Sequence, residues 1–482
     1  MLIKIITPQY YSRFIFSVFI SFLLLQPTNA ELDLSLPDYN LPNIGNSSLS
    51  SIGYSKERYL GLKILRNIRA SAPVIEDPEI SAWIRSLGNR LSAQAPDSKN
   101  PFYFLIIKDN AINAFATLGG VIVINTGLIL QTASEDELAA VLAHEIAHIT
   151  QQHIARMMEN SRNNLLSTGA TIFAGILAGT KNPQAGQAII SGAFAMQAYK
   201  DLLFSREAES EADRVGLRIL ATAGFNPMAM PRFLKKLEAE FSDTTGSPSD
   251  YSRTHPLTLK RVSNAQAMAS KYGIFKPKKQ DQTYQYMREK IRVLSHARGK
   301  NAHLPPHLHH NIRRYAKAST LLEQGNILAT LKIIGKHSTQ KSEALLIAKA
   351  LLLQKKYSAV IQLLKPLVRL YPGENALIIP LANAYLGLKD IPSAWSLINH
   401  VIISEQSSLI YFEVRQQIAR QAGLIGAAYH SVAERNIRIG QYQHAISQIL
   451  QAMKANDMSQ NELEVLQRLL RQTKHTQKIL NH

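Results

Sequence analysis

His144-Glu145-Ile146-Ala147-His148 is the stretch that decides how this chain is read. Two histidines four residues apart project from one face of an α-helix and can share a metal ion. Glu145 is turned about 100° from His144, which suits a general base acting on water at that metal. Upstream, Ser134 with Glu137 three residues later gives a capping-box start. From there to about Asn160 there is no Gly or Pro, so one helix is expected over 135–160. Its residues around the motif are apolar, among them Ala140, Val141, Leu142, Ala143 and Ile149. Such a helix is buried, and burying two histidines and a glutamate together is costly unless something pairs them. That cost favours a metal site over two satisfied core histidines.

A zinc site needs a third protein ligand, and the sequence limits where it can come from. A metzincin would carry glycine at 151 and histidine at 154, where this chain has Gln151 and Ile154. His153 lies nine residues from His144, about half a turn around a continuous helix, and is expected to face away. The ligand must come from another element, and the best source is Ser205-Arg206-Glu207-Ala208-Glu209-Ser210-Glu211-Ala212-Asp213-Arg214-Val215-Gly216. Glu209 and Asp213 share one helix face, and Glu207 and Glu211 form a second such pair. One member would bind the metal while its partner accepts the other ring N–H of a ligating histidine. Spacing alone leaves both pairs open, beside the alternative of a solvated acidic face.

These motifs together resemble the gluzincin family that includes the CAAX prenyl proteases and the HtpX-type membrane proteases. The likeness is to its periplasmic, tetratricopeptide-bearing branch in particular. It runs from about residue 41 to 270, through Ser71-Ala72-Pro73, Gln184-Ala185-Gly186 and Gly224-Phe225-Asn226-Pro227, with a looser match beyond. The resemblance implies an α+β zincin-like peptidase domain holding one Zn²⁺, with Glu209 as third ligand and Asp213 behind it. It also implies that His255, in Thr254-His255-Pro256, lies over the metal and that Arg261 supports the site. His255 would then either donate to a developing oxyanion, with Arg261 adding positive charge, or occupy the open metal position as a fourth ligand. Asn113-Ala114-Phe115-Ala116 and Gly119-Gly120-Val121-Ile122-Val123 resemble the active-site edge strand, where a substrate backbone would be held by β-augmentation. By the same resemblance, the substrates are stalled or misfolded outer-membrane β-barrel proteins, met near the barrel-assembly machinery.

Composition bears on where such a protein works. Lys4 and Arg13 precede an apolar run from Phe14 to Leu25, and Thr28-Asn29-Ala30 ends in a small residue. Residues 1–30 therefore read as a secretory signal cut after Ala30, the run being too short to span a bilayer. An uncleaved anchor is the alternative. The chain has no cysteine, which excludes disulfides, a lipoprotein anchor and thiolate ligands. The expected place is the periplasm, with peripheral contact to the outer membrane. Residues 31–270 are nearly neutral, so almost all of the net charge of +19 sits in 271–482. A basic half of that kind could meet acidic proteins, lipid headgroups or lipopolysaccharide, and export removes nucleic acid from the candidates.

Residues 56–92 read as helical, 102–107 and 121–125 as strands, and 228–240 as an amphipathic helix. Two apolar segments, 165–179 and 185–198, suggest a buried hairpin, a mobile flap or plug over the cleft, or a membrane-touching element, the resemblance favouring the plug. A Ser/Asp/Gly loop over 241–253 leads to His255. Residues 271–310 read as a connector, and its histidines 303, 307, 309 and 310 as incidental. Beyond it, Tyr357 and Val360 recur as Ile391 and Ala394, a period of 34 residues, and Gly440-Gln441-Tyr442 with Ala445 repeats the pattern out of phase. That period is the tetratricopeptide signature, helix pairs stacked into an all-α solenoid over 311–482. Two functions follow: an exported zinc metalloendopeptidase, or a scaffold and chaperone whose protease site is largely latent. Glu145 discriminates between them, because a scaffold has no use for a base beside two ligands.

Overall fold

A computed structural model describes residues 53–95, 101–160, 206–243, 250–273, 275, 282–296 and 308–480. The signal segment, both apolar segments of 161–200, residues 244–249 of the loop and histidines 303 and 307 lie outside the described residues. The expected helix over 56–92 is two helices, α1 (Tyr54–Ser71) and α2 (Pro78–Ser92). Ala72-Pro73 separates them, and Asp77 caps α2 by accepting from the Glu79 and Ile80 backbone N–H groups. Three strands follow: β1 (Tyr103–Ile107), β2 (Ala114–Ala116) and β3 (Val121–Asn125). β3 is central, parallel to β1 and antiparallel to β2, with Phe115 opposite Val123.

Both faces of the sheet are covered, which is why β1 and β3 read as unbroken apolar runs. Tyr103, Leu105, Val121 and Val123 pack on α1, while Phe104, Ile106, Ile122 and Ile124 belong to the main core with α2. Gly119 and Gly120 are not strand residues. They form a tight turn with φ of 69° and 82°, and α1 approaches so closely there that a Cβ on Gly119 would lie 2.6 Å from the Gly61 Cα.

After α3 (Thr126–Gln131) comes α4 (Glu135–Thr150), whose Ser134 cap accepts from the Glu137 N–H. From Leu138 to His148 every residue of α4 is buried. The single helix expected over 135–160 is interrupted after Thr150. Gln152 adopts φ 54°, in the left-handed region, and α5 (His153–Asn160) restarts on a new axis. The N-terminal half is completed by α6 (Arg206–Thr222), α7 (Ala229–Asp243), α8 (Asp250–Thr254) and α9 (Leu259–Ser270).

The stretch expected as a connector contains a packed helix, α10 (Thr283–His296). Its Tyr284 hydroxyl donates to the Thr132 carbonyl at 2.8 Å, and Lys290 reaches Asp77 and Glu79, each at 2.8 Å. The remainder is helical: α11 (His310–Glu323), α12 (Ile327–Ile334), α13 (Lys341–Leu353), α14 (Tyr357–Leu370), α15 (Asn375–Gly387) and α16 (Ile391–Asn399). There follow α17 (Leu409–Gln421), α18 (Ile425–Arg438), α19 (Tyr442–Met453) and α20 (Gln460–Leu480). Helices α13, α15 and α17 start 34 residues apart, as do α14, α16 and α18. The segment between α16 and α17 returns to the N-terminal half. There Arg66 meets Glu405 at 2.9 Å and the Tyr442 hydroxyl at 3.0 Å, and Gln406 donates to the Phe102 carbonyl at 3.0 Å. No helix of the described residues is long and apolar enough to cross a membrane.

Candidate metal centre

Two helices build the centre. α4 presents His144, Glu145 and His148, and α6 lies across it with Glu209 and Asp213. The crossing is tight because Gly216 faces α4: a Cβ there would sit 3.0 Å from the Ala143 carbonyl oxygen and the His144 nitrogen. The turn between α8 and α9 adds His255. α8 is fixed beside the sheet edge by the Tyr251 N–H, which donates to the Ile112 carbonyl at 3.0 Å. The Tyr251 ring stacks on His255 with centroids 4.6 Å apart. All of these site side chains are buried, with Glu145, His148, Glu209 and His255 wholly so.

His144 Nε2 and His148 Nε2 lie 3.0 Å apart. The Glu209 carboxylate faces both, with Oε2 3.4 Å from His144 Nε2 and Oε1 3.3 Å from His148 Nε2. His255 Nδ1 stands 3.4 Å from His144 Nε2 and 3.0 Å from Glu209 Oε1. A tetrahedron with bonds of about 2.0–2.1 Å has edges of about 3.3–3.4 Å, and separations of 3.0–3.4 Å bring these side chains within reach of one zinc ion. Among the described residues, His144, His148, Glu209 and His255 are the cluster able to hold a metal. Three nitrogens and a carboxylate oxygen, with no sulfur, suit Zn²⁺.

The support behind the donors is ionic. Arg261 forks onto Asp213 through Nε and NH2, both at 2.8 Å, and its NH1 lies 2.6 Å from Glu209 Oε2. Asp213 Oδ1 in turn lies 3.0 Å from His144 Nδ1. Burial alone would lift the Asp213 carboxyl, but Arg261 and His144 outweigh it and hold it below the usual value. Burial likewise works against Glu209 ionising, and His255, His144 and His148 override it and keep it well below its ordinary range. Burial pulls both histidines down, yet Asp213 and Glu209 hold His144 up to about 10, whereas His148 stays well below its usual value. Glu145 moves the other way: burial raises its carboxyl, against the pull of His255 and His144. Its Oε1 is 3.5 Å from His255 Nε2.

Of the two acidic pairs left open by spacing, Glu209 and Asp213 enter the site. Glu207 is exposed, and Glu211 is half-buried against Arg156 and His153. Arg261 sits behind Glu209 and Asp213 rather than over the donors, its guanidinium also giving a hydrogen bond to the Pro256 carbonyl at 3.0 Å. Asn113, Ala114 and Phe115 run beside α4 into β2, the edge strand of the described sheet. Val121 to Val123, grouped with them from the sequence, belong instead to the central strand. His153 does not face away. The break at Gln152 turns it back, and its Nδ1 lies 2.9 Å from His148 Nδ1. The sequence reading also missed Tyr251, whose signal was only its position four residues before His255, and the role of Gly216 as the contact that seats α6.

Fold and site together define a zinc-dependent metalloendopeptidase of zincin-like type. Residues 78–269 match the model of peptidase family M48. The chain is 33% identical over 388 residues to the beta-barrel assembly-enhancing protease of Yersinia pestis, covering 80% of this chain and 75% of that protein. To the protein of the same name from Escherichia coli (strain K12) it is 39% identical over 232 residues, 48% of this chain and 47% of that one. The mitochondrial metalloendopeptidase OMA1 of Arabidopsis thaliana is 34% identical over 157 residues, 33% of this chain and 29% of that protein. The chain belongs to peptidase family M48.

Proposed function

We propose that this protein is an exported endopeptidase of the periplasm that cleaves stalled or misfolded outer-membrane β-barrel proteins and assists their assembly beside the barrel-assembly machinery. The observation that carries this reading is the wholly buried Glu145 beside a complete four-donor cluster. The name shared by the Yersinia and Escherichia relatives supports the barrel connection. In this reading residues 1–30 are a cleaved signal and 31–270 the peptidase domain. Residues 271–310 are the connector, and 311–482 a tetratricopeptide-type solenoid that engages partners. The 34-residue recurrence of helix starts supports the solenoid.

His144, His148 and Glu209 would hold zinc, which when bound would supply the Lewis acidity that acidifies water and polarises a scissile carbonyl. Glu145 accepts the proton, its affinity for one increased by burial. Asn113, Ala114 and Phe115 align an extended substrate along β2, so recognition is mainly through backbone and tolerates varied sequences. His255 would stand within reach as a further donor to the metal, and its ring N–H would be available to a developing oxyanion. Arg261 and Asp213 hold Glu209 and His144 in place. A role as scaffold alone is not favoured, because such a role needs no base at Glu145.

Hydrolysis of casein and of an unfolded outer-membrane barrel protein by the purified mature chain tests this. Glu145→Gln should keep about one zinc while hydrolysis falls at least about 10²-fold. Undiminished hydrolysis would refute the mechanism. Cleavage of casein with the unfolded barrel left intact would refute the substrate assignment.

A further inference from the structure

The two ligating histidines are supported differently. His144 Nδ1 meets a carboxylate, Asp213 Oδ1, at 3.0 Å. His148 Nδ1 meets another imidazole, His153 Nδ1, at 2.9 Å. On an unbroken helix a residue five positions on is rotated by about 140°, out of reach of that atom. The left-handed Gln152 is what makes the contact, turning the chain so that His153 lies almost fully buried against His148. On its far side, His153 Nε2 lies 3.1 Å from Glu211 Oε2, which Arg156 also holds at 3.2 Å.

Hydrogen-bond logic fixes the protons along this row. A carboxylate accepts only, so the His153 nitrogen facing Glu211 carries hydrogen. A neutral His153 then has a bare Nδ1, and the contact at 2.9 Å requires the hydrogen to sit on His148 Nδ1. That leaves the lone pair of His148 on Nε2, the atom that faces His144 Nε2 and Glu209. The arrangement has an electrostatic reason as well. Glu145, Glu209 and Asp213 already place three buried carboxyl groups here against one arginine. A neutral imidazole passes on the orienting hydrogen bond while keeping a fourth carboxylate at the surface.

We propose that His153 is a positioning residue of the zinc site, which with Glu211 and the kink at Gln152 holds His148 in its metal-binding tautomer. It rests on the assignment of His148 as a ligand. The test is the zinc dissociation constant of the whole protein, measured by competition with a chelator at fixed pH. Loss of such a supporting partner weakens metal binding about 10–100-fold, and His153→Leu should fall in that range. His153→Asn, whose side-chain oxygen can still accept, should stay within about threefold of wild type. Melting in excess chelator separates this from a packing defect, since both variants should then unfold alike. If His153→Leu does not fold, the half-exposed Glu211→Ala takes its place, with a loss of several-fold expected. Equal zinc affinity in His153→Leu and His153→Asn, or an unchanged constant in Glu211→Ala, would overturn the proposal. His148→Ala separates the two readings: if it binds zinc as wild type does, the ligand assignment itself fails.

Discussion

Asp213→Asn changes one oxygen to nitrogen and almost no volume, yet it cuts the centre at two points. Asp213 receives both prongs of the Arg261 fork at 2.8 Å and lies 3.0 Å from His144 Nδ1. An amide has one accepting oxygen; because Oδ1 serves both His144 Nδ1 and Arg261 NH2 while Oδ2 serves Arg261 Nε, its NH₂ group faces the guanidinium in either orientation, a donor set against a donor. On the arginine side, removing one partner of a buried pair costs about 3–5 kcal/mol. The lower end applies, because Glu209 Oε2 remains 2.6 Å from Arg261 NH1. For a domain of this size, each kcal/mol lowers the melting temperature by about 2–4 °C, so a fall of about 6–12 °C in chelator is expected. On the metal side, the acceptor facing His144 becomes neutral and less firmly held, which should weaken zinc binding by up to about 10–100-fold. Chelator competition reads the second effect and thermal unfolding in chelator the first. An unchanged zinc constant in a variant that melts early would mean that Asp213 is only a packing partner of Arg261. No change in either would refute the whole arrangement behind His144.

Arg66 ties the peptidase half to both Glu405 and Tyr442, so Arg66→Met should free the 400–408 segment. The expected loss is about 1–3 kcal/mol, below the fully buried range because Glu405 is 32% exposed. Limited proteolysis should then cut near 400–408 while short-peptide hydrolysis is retained; a wild-type digestion pattern would contradict this. Acid should loosen the C-terminal helices at Glu434. Burial alone would lift that carboxyl from 4.5, but Arg438 and His430 bring it down to about 2. A depressed carboxyl stabilises above its unfolded value and loses that contribution as pH falls toward the folded one. Up to about 3 kcal/mol should therefore disappear between roughly pH 4.5 and 2, and Arg438→Met should flatten that dependence in melts followed against pH.

The metal helix was legible because its capping pair, apolar flanks and two histidines all agree with the helical period. Glu209 and Asp213 were legible as a pair, but the choice over Glu207 and Glu211 needed the direction from which α6 approaches, which Gly216 sets. The break after Thr150 left no trace in propensity. Gln151 and Gln152 are ordinary helix formers, and nothing local announces a left-handed glutamine. Mistaking two helices for one is what turned His153 away from the site. The helix repeat was clear at Tyr357 and Ile391; it continues in phase at Leu409 and Ile425, across a longer break of nine residues between α16 and α17. Those residues serve the contact with the peptidase half, a tertiary demand that local periodicity does not carry.

The central claim is that one zinc sits between His144, His148 and Glu209. Metal analysis of the purified chain beside Glu209→Gln and Glu207→Gln tests it most directly. About one zinc per chain is expected in wild type and in Glu207→Gln, and far less in Glu209→Gln under the same dialysis. Full zinc in Glu209→Gln, with loss in Glu207→Gln, would contradict it.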